Sequence, residues 1–542
     1  MYKSIFSLLL LIVIHQASGQ DNNYWMQMPG SKSAIMGGMV VAGVRDNSAV
    51  FYNPGAMGFL DTSTVSLSAS TYQYESSSIQ NAGGLGVNMT SSKFQAFPLV
   101  SISGIIAPKK GSKHSFGFML FTKNQTASNY SYRFDGIKSD TIFAGDGYQP
   151  NSPNHGVEYI GDYNLQTQLN ELWLGFTYAY EINQHISIGL SPFIAYRTET
   201  LNESFVARAF AGDSSNFLNA PTTQTSTAQL SSINYSDIQS ITFNNFRALG
   251  KLGIAFDYGK LKLGATYTSR SINLGGSAMI ARDITYNGGS VYAQPSGTPA
   301  VYTDDFVLND RQQNLKSTYI SPYSMSAGVD YQIQRTTIAI NAEYFGAVAP
   351  YNLATPQATS FFRPVWANHG NNLGSQINSD EYLRITQAAK SVTNFGIAVE
   401  QQIKRNLSIV ASFRTDYTSY TKATNDIMER LFVGDTSHPA GQKLDLSNIN
   451  LYHLSLGAIL KNKRSDIHIG LAYCFGKNTF FQPFCNIANP QDINATGENL
   501  LGALPNYTAT PQGSGTYVQN ALYKYQNFSL LLGYTYHLGA NK

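Results

Sequence analysis

Apolar and polar residues alternate along most of this chain, in segments that come in pairs. In the pair between Glu171 and Arg197, about every second residue is apolar on both sides of a turn at Asn183-Gln184. A period of two predicts a β-strand, and a short polar break between two such runs predicts a hairpin. A long series of hairpins, in which short turns alternate with long polar loops, is typical of an outer-membrane β-barrel.

The alternation predicts about fourteen strands, an even number, each long enough to cross a bilayer when tilted. They lie at about residues 63–75, 94–107, 114–123, 169–182, 185–198, 246–258, 260–271, 319–332, 335–346, 393–403, 406–417, 449–461, 465–476 and 525–538. The long connections between the hairpins are about 76–93, 124–168, 199–245, 272–318, 347–392, 418–448 and 477–524. We therefore predict an all-β fold, a transmembrane antiparallel barrel over residues 63–542 with short turns in the periplasm and long loops outside.

The two faces of each predicted strand differ in polarity, and this predicts which face meets lipid. Leu454 and Leu456 are expected to face lipid, whereas His453 and Ser455 are expected to face the lumen. A charge that faces lipid at the bilayer centre costs about 2–4 kcal/mol. In agreement, several charged strand residues all fall on the lumen side, namely Arg197, Asp330, Glu343, Glu400 and Arg414.

Composition supports a membrane barrel and excludes some other classes. Charged residues make up only 13% of the chain, against roughly 25% in soluble domains. The net charge of +3 is too small for nucleic-acid binding, and no basic patch interleaved with aromatic residues is present. We expect no nucleic acid, cofactor or metal as a partner.

The sequence offers no catalytic constellation, so we expect no enzyme. The nearest approach to one is a pair of inward histidines, His453 and His468, on neighbouring strands. Registering this hairpin about Asn462-Lys463 pairs the two histidines with Ala472 and Gly457. They would lie about four residues apart, at ~3.4 Å per residue, too far to share a proton or a metal.

The N-terminus has the organisation of an export signal. Lys3 precedes the apolar run from Ile5 to Ile14, and small residues from Ala17 to Gly19 follow it. We expect residues 1–19 to be a signal peptide cleaved after Gly19; retention as an anchor is the weaker alternative because the apolar run is too short to span a bilayer.

Residues 20–62, between the signal and the first strand, lack strand periodicity and carry a turn at Asn53-Pro54-Gly55. This segment resembles the N-terminal signature of the FadL/TodX family of outer-membrane transporters of hydrophobic compounds, with an Asp-x-x-Ala pattern followed by Asn-Pro-Ala-x-x-Leu. The matching residues are Asp46, Ala49, Asn53, Pro54, Met57 and Leu60, and Gly55 replaces the usual alanine. The resemblance implies that residues 20–62 form a hatch, or plug, inside the barrel.

The same resemblance implies passive, hatch-gated uptake of hydrophobic molecules, such as long-chain fatty acids or aromatic hydrocarbons, across the outer membrane. A ligand carboxylate would need a cation in the lumen, and Arg197, Arg247 and Arg414 are the candidates. Phe361, Phe362 and Trp366 could form an apolar entry surface in a long loop, or could simply pack against other loops. The alternative function is a barrel that binds proteins through its long loops in a secretion or surface-assembly machinery.

The two cysteines of the chain, Cys474 and Cys485, both follow the export signal. An oxidising compartment permits a disulfide between them. Two free thiols, one on a strand and one in a loop, are equally consistent with the sequence.

Overall fold

The structure is a computed structural model of the chain. It describes residues 22–96, 99–107, 112–138, 157–211, 232–287, 290–293, 299–302, 306–358, 365–366, 378–421, 446–480, 483–488, 507–509, 515–517 and 520–538. In this part of the chain, no helix is both long and apolar enough to span a membrane.

Short helices precede the strands and interrupt one long loop. They are α1 (Ser31–Ile35), α2 (Ala49–Tyr52), a 3₁₀ helix (Pro54–Phe59) and α3 (Ser379–Tyr382). The strands are β1 (Ser63–Gln80), β2 (Met89–Ala96), β3 (Leu99–Ile106), β4 (His114–Lys138), β5 (Val157–Asn183), β6 (Ile186–Ala211), β7 (Ser232–Tyr258), β8 (Leu261–Thr268), β9 (Ile272–Asn287), β10 (Ser290–Ala293), β11 (Pro299–Tyr302), β12 (Phe306–Lys316), β13 (Ser324–Ile333), β14 (Thr336–Phe345), β15 (Val348–Ala354), β16 (Val365–Trp366), β17 (Ile385–Ala389), β18 (Val392–Lys404), β19 (Leu407–Asp416), β20 (Leu451–Lys461), β21 (Ser465–Phe480), β22 (Tyr507–Ala509), β23 (Gly515–Tyr517) and β24 (Ala521–Leu538).

The large sheet is a closed antiparallel barrel in which each strand pairs with its neighbours in the sequence. The first strand, β1, pairs along its whole length with the last, β24, and this pairing closes the barrel. Three positions in the barrel are each filled by two consecutive strands, β2 with β3, β8 with β9, and β12 with β13. Counted this way the barrel has fourteen strands, as the sequence predicted.

The outer surface of the barrel is apolar where the sequence predicted contact with lipid. Leu456 is 57% exposed and Leu471 is 61% exposed, whereas the inward His453 and His468 are buried. The register of their hairpin differs from the prediction, because His453 pairs with Cys474 and His468 with Ile459. The hairpin is centred between Lys463 and Arg464, one residue later than the predicted centre between Asn462 and Lys463.

Four adjacent strands, β4 to β7, extend far beyond the ends predicted for them, into the segments 124–168 and 199–245 that the sequence assigned to loops. On β5 the odd-numbered residues face inward throughout. Near the turn to β6 the outward residues are apolar, such as Phe176. Farther from that turn the outward residues are polar, such as Gln166, and the apolar residues, such as Tyr163, face inward. The outward face therefore changes from apolar to polar along one continuous strand, as expected where a strand leaves the bilayer.

Candidate functional site

The N-terminal segment, residues 22–62, contains no strand and contacts the inner faces of strands around the barrel. Asn53 is fully buried, and its amide nitrogen donates to the carbonyls of Val41 (2.8 Å) and Ile254 (3.0 Å). Its side-chain oxygen accepts from the backbone nitrogen of Gly55 at 3.0 Å, which caps the 3₁₀ helix that begins at Pro54. Asn53 thus ties the segment to itself and to strand β7.

The other residues of the recognised motif also have structural roles. Asp46 accepts from the backbone nitrogen of Ser48 at 2.8 Å and from its hydroxyl, which orders the turn into α2. Ala49 and Met57 are fully buried, and Leu60 is partly buried against the same cluster. The motif therefore specifies how the segment folds and where it touches the wall.

A ring of inward-facing wall glycines brings the N-terminal segment into close contact with the barrel. A Cβ atom on Gly264 would lie 2.2 Å from the Val41 carbonyl oxygen, and one on Gly189 would lie 2.4 Å from the Pro54 backbone. A Cβ atom at each of several other ring positions would also approach the segment to 3.0 Å or less. These positions are Gly117, Gly253, Gly328, Gly396, Gly457, Gly470 and Gly533. No larger side chain fits between the segment and the wall at these positions.

An ion pair also joins the N-terminal segment to the barrel wall. Lys32 of α1 lies 2.7 Å from Glu400 of β18. Burial disfavours the charged ammonium, but the carboxylate of Glu400 outweighs this and raises the pKa of Lys32 above its usual value. Lys32 therefore stays charged at neutral pH and holds α1 to the wall.

A cavity lies between the N-terminal segment and the upper barrel wall. Apolar surface predominates in its lining, to which the following aromatic and aliphatic side chains contribute: Tyr24, Trp25, Met28, Val41, Phe51, Tyr52, Trp173, Leu249, Tyr319, Pro322 and Phe345. Thr268, Tyr319 and Pro322 lie at or beside the interruptions between β8 and β9 and between β12 and β13. The cavity therefore borders the place where two neighbouring barrel strands are broken.

Glu171 is the centre of a buried charge network at the edge of this cavity. Its carboxylate pairs with Arg197 (2.9 Å) and with Arg247, and it accepts a hydrogen bond from the Trp173 indole. Arg197 pairs in addition with Glu199 at 2.8 Å. Both guanidinium groups lie over the ring of Tyr319, at 4.1 and 4.6 Å from its centroid.

The three arginines predicted as ligand-binding residues are all buried, but their surroundings differ. Arg197 is engaged by two carboxylates, and Arg414 donates to the Trp25 carbonyl (3.1 Å) and to His453 (3.0 Å), so it holds the N-terminal segment. Arg247 lines the cavity, and its Nη1 is buried and has no hydrogen-bond partner among the described residues. Of the three, Arg247 is the one that lines this cavity.

Two lysines, which sequence reasoning did not propose for the site, complete the charged lining of the cavity. The ammonium of Lys251 lies 4.5 Å from the centre of the Phe51 ring. This ammonium forms no hydrogen bond or ion pair within the described part of the chain. Lys123 donates to the Tyr24 carbonyl at 2.6 Å. Lys123 is the extra residue of a β-bulge between Thr122 and the next paired residue, and the alternation in the sequence gives no sign of that bulge.

The charges that line the cavity do not balance. The cations are Lys123, Arg247 and Lys251, and the anions are Glu171 and Glu343. Glu343 already accepts from the Trp25 indole (2.8 Å) and from the Ser324 hydroxyl (2.7 Å). The lining therefore carries one excess positive charge, from three cations and two anions.

The structure describes the other predicted site residues only in part. Phe361 and Phe362 lie outside the described residues, and Trp366 belongs to β16, where only its backbone pairing with Phe306 is described. Cys474 and Cys485 are both buried, free thiols in the structure, and burial raises the pKa of Cys485. A bridge between them stays a prediction. Within the described ranges, no group of three or more His, Cys, Asp or Glu side chains could hold a metal ion.

Proteins similar to this chain are found among solved structures. No protein-family model and no curated protein sequence matches this chain. Among solved structures, it is similar to the toluene transporter TodX of P. putida, with 14% identity over 94% of this chain and 99% of that chain and a TM-score of 0.47. A FadL homologue of Pseudomonas aeruginosa (15% identity, 96% of this chain and 99% of that chain, TM-score 0.45) and the toluene transporter TbuX of Ralstonia pickettii (12%, 94% and 98%, 0.45) are also similar. At these identities the similarity concerns the fold alone.

The fold and its surface define the class of protein. The barrel is closed, has an even number of antiparallel strands and exposes an apolar band around its outside. Short turns join the strands at one end and long connections join them at the other. These are the properties of an integral outer-membrane β-barrel.

Proposed function

We propose that this protein is a passive uptake channel for apolar molecules that carry one anionic group, of which a long-chain fatty acid is the simplest example. The observation that carries the proposal is the aromatic and aliphatic cavity with one excess positive charge. An unbalanced buried charge is costly, and a ligand carboxylate would compensate it while the apolar tail fills the rest of the cavity. The N-terminal motif and its family resemblance support the same class of function.

Arg247 and Lys251 are the residues that we assign to the carboxylate. Arg247 offers a buried nitrogen without a partner among the described residues, and Lys251 offers an ammonium above the Phe51 ring. Arg197 is not assigned, because Glu171 and Glu199 already neutralise it.

The test compares the binding of oleate with that of its uncharged methyl ester. Lys251→Met keeps the length of the side chain and removes the charge, so we expect oleate to bind about tenfold more weakly and the ester to bind unchanged. Binding to purified protein is measured by calorimetry, and uptake is measured in cells that express each variant. Lys524→Met, an exposed lysine on β24 outside the cavity, serves as the control. Equal losses for oleate and the ester, or no loss for oleate, would contradict the proposal.

We infer that the ligand leaves the cavity sideways, between β8 and β13. Two inward residues of these strands, Thr266 and Ser326, pair across the strands and share a hydrogen bond of 2.6 Å. Ser326 lines the inner cavity and also an apolar groove on the outer face of the barrel, which extends from β5 to β8 and β13 and includes Leu252 and Tyr267. Only the thickness of the wall separates the two at this point. In contrast, the N-terminal segment is in close contact with the glycine ring, and we propose that it closes the path along the barrel axis.

A disulfide across these two strands tests the sideways route. The double variant Thr266→Cys/Ser326→Cys joins β8 to β13, and we expect its oxidised form to lose uptake and to recover it after reduction. Ser412→Cys/Ser455→Cys is a matched control, because this pair also faces inward and also shares a 2.6 Å hydrogen bond, between β19 and β20. Full uptake by the oxidised Thr266–Ser326 variant would rule out this exit, although ligand binding in the cavity would be unaffected.

A further inference from the structure

The turn end of the barrel is strongly basic. Exposed cations lie in the turns that join β3 to β4 (Lys113), β7 to β8 (Lys260) and β13 to β14 (Arg335). The turn between β18 and β19 exposes Lys404 and Arg405.

The hairpin of β20 and β21 adds Lys461, Lys463 and Arg464, all exposed. The turn between β5 and β6 has no lysine or arginine of its own, but Lys113 reaches it and donates to the carbonyl of Ile182 at 2.9 Å. We refer to the exposed lysines and arginines of these turns together as the basic rim.

Acidic groups at this end neutralise little of the rim. Asp257 is engaged by Arg45 at 2.6 Å and by Lys262 at 3.7 Å, and neither cation belongs to the rim. Asp466 lies 3.3 Å from His537. Glu400 is engaged by Lys32 at 2.7 Å, and Asp330 is buried. Asp61, which is exposed, and Glu181, which is half-buried, also lie near the described turns. The rim therefore retains a large excess of positive charge.

The rim lies where the apolar band of the barrel ends. The last exposed apolar residues before the turns include Ile333, Ile403 and Leu460, and cations of the rim follow them within two residues at Arg335, Lys404 and Lys461. Exposed tyrosines mark the same level, among them Tyr258, Tyr331 and Tyr536. Tyrosines and long basic side chains at the edge of an apolar band lie at the depth of lipid headgroups.

We propose that the basic rim binds anionic phospholipid headgroups in the leaflet that surrounds the turns. The charges are distributed among turns around the whole circumference, which suits a ring of lipids. A protein partner docked on one side would instead require the cations on that side. The attraction is electrostatic, and each lysine or arginine near an anionic surface adds to it until salt screens it. This proposal depends on the membrane barrel and not on which ligand the barrel transports.

The experiment measures lipid selectivity of the full-length protein in bilayers of phosphatidylcholine. Spin-labelled phosphatidylglycerol and spin-labelled phosphatidylcholine are added separately, and electron spin resonance gives the fraction of each that contacts the protein. We expect phosphatidylglycerol to associate about twofold or more strongly. We expect this preference to disappear in 0.5 M NaCl and in the variant with Lys404, Arg405, Lys461, Lys463 and Arg464 all replaced by glutamine.

The control variant is Arg133→Gln/Lys524→Gln, which removes exposed cations from the opposite half of the barrel and should keep the preference. Three results would each overturn the proposal: equal association of the two lipids with the unmodified protein, a preference that survives high salt, or a preference that survives the rim variant. A protein that co-purifies through the rim in the absence of lipid selectivity would do the same. The salt measurement needs no variant, so it decides the matter even if the rim variant fails to insert.

Discussion

Glu171 has more influence on the cavity than any of the cations around it. It is buried, it pairs with Arg197 and Arg247, and it accepts from Trp173. A buried ion pair is not in itself strongly stabilising, but removal of one partner leaves an uncompensated charge. Removal of the Glu171 carboxylate would leave Arg247 without a carboxylate partner among the described residues, whereas Arg197 would keep its pair with Glu199.

We therefore predict that Glu171→Gln destabilises the barrel by about 3–5 kcal/mol. The measurement is the free energy of unfolding by urea in lipid vesicles. Asp135→Asn is the control, because Asp135 pairs with Arg133 at the surface, and we expect it to change stability by less than about 1 kcal/mol. Equal stabilities of Glu171→Gln and the control would show that the network is not the strong constraint that its burial suggests.

The sequence predicts on which face of the strands the arginines lie, but not which residues they pair with. Because parity along a strand fixes the face, Arg197, Arg247 and Arg414 were assigned correctly to the lumen side. Which of them is free for a ligand depends on cross-strand neighbours, such as Glu171 opposite Arg197, and the register of long strands decides those. Lys123 has the same parity as the inward Met119 and Phe121, so alternation permits its inward position, but its contact with the Tyr24 carbonyl depends on how the N-terminal segment folds.

The strands themselves show a boundary that periodicity alone does not reveal. On β5 the alternation continues without a break, while the apolar face changes from the outside to the inside. The loss of an apolar outward face was interpreted as the end of the strand, so the predicted loop at 124–168 included the polar part of β5. The strands that are confined to the apolar band, such as β14 and β18, were predicted almost to the residue.

This boundary predicts that a lysine introduced on the outward face of β5 has different effects on stability at two places. Phe176 is 56% exposed within the apolar band, and we expect Phe176→Lys to cost about 2–4 kcal/mol because it places a charge in lipid. Gln166 is also exposed and outward-facing, but it lies on the polar part, so Gln166→Lys should change stability by less than about 0.5 kcal/mol. Unfolding in vesicles measures both, and similar costs at the two positions would contradict our placement of the bilayer edge.

The close fit between the glycine ring and the N-terminal segment can be tested by adding a single methyl group to the wall. Gly264→Ala introduces a methyl group 2.2 Å from the Val41 carbonyl oxygen, so the segment must move. We expect a correctly assembled barrel, about 1–3 kcal/mol less stable and leaky to small hydrophilic solutes, as measured by antibiotic sensitivity and by conductance. Gly250→Ala is the control because nothing lies within 4 Å of its added methyl group. A tight barrel in Gly264→Ala would mean that the segment adjusts without opening a path.

At the scale of the whole molecule, closure of the barrel and closure of its lumen are separate properties. The barrel closes through the pairing of β1 with β24, in which the N-terminal segment takes no part. Inside the barrel, the N-terminal segment contacts glycines on strands around the wall, and we propose that it closes the lumen. An empty barrel with this number of strands would enclose water rather than collapse.

We therefore predict that deletion of residues 31–60 leaves an assembled barrel with an open pore. Assembly is checked by the difference in electrophoretic mobility between heated and unheated samples, and the pore is checked by conductance in planar bilayers. The full-length chain should conduct little under the same conditions, because we expect the N-terminal segment to block the lumen. If the shortened chain assembled and still did not conduct, the segment could not be the gate. The barrier to ions would then lie in the half of the barrel away from the short turns, where Tyr130, Tyr163 and other aromatic residues form a buried cluster.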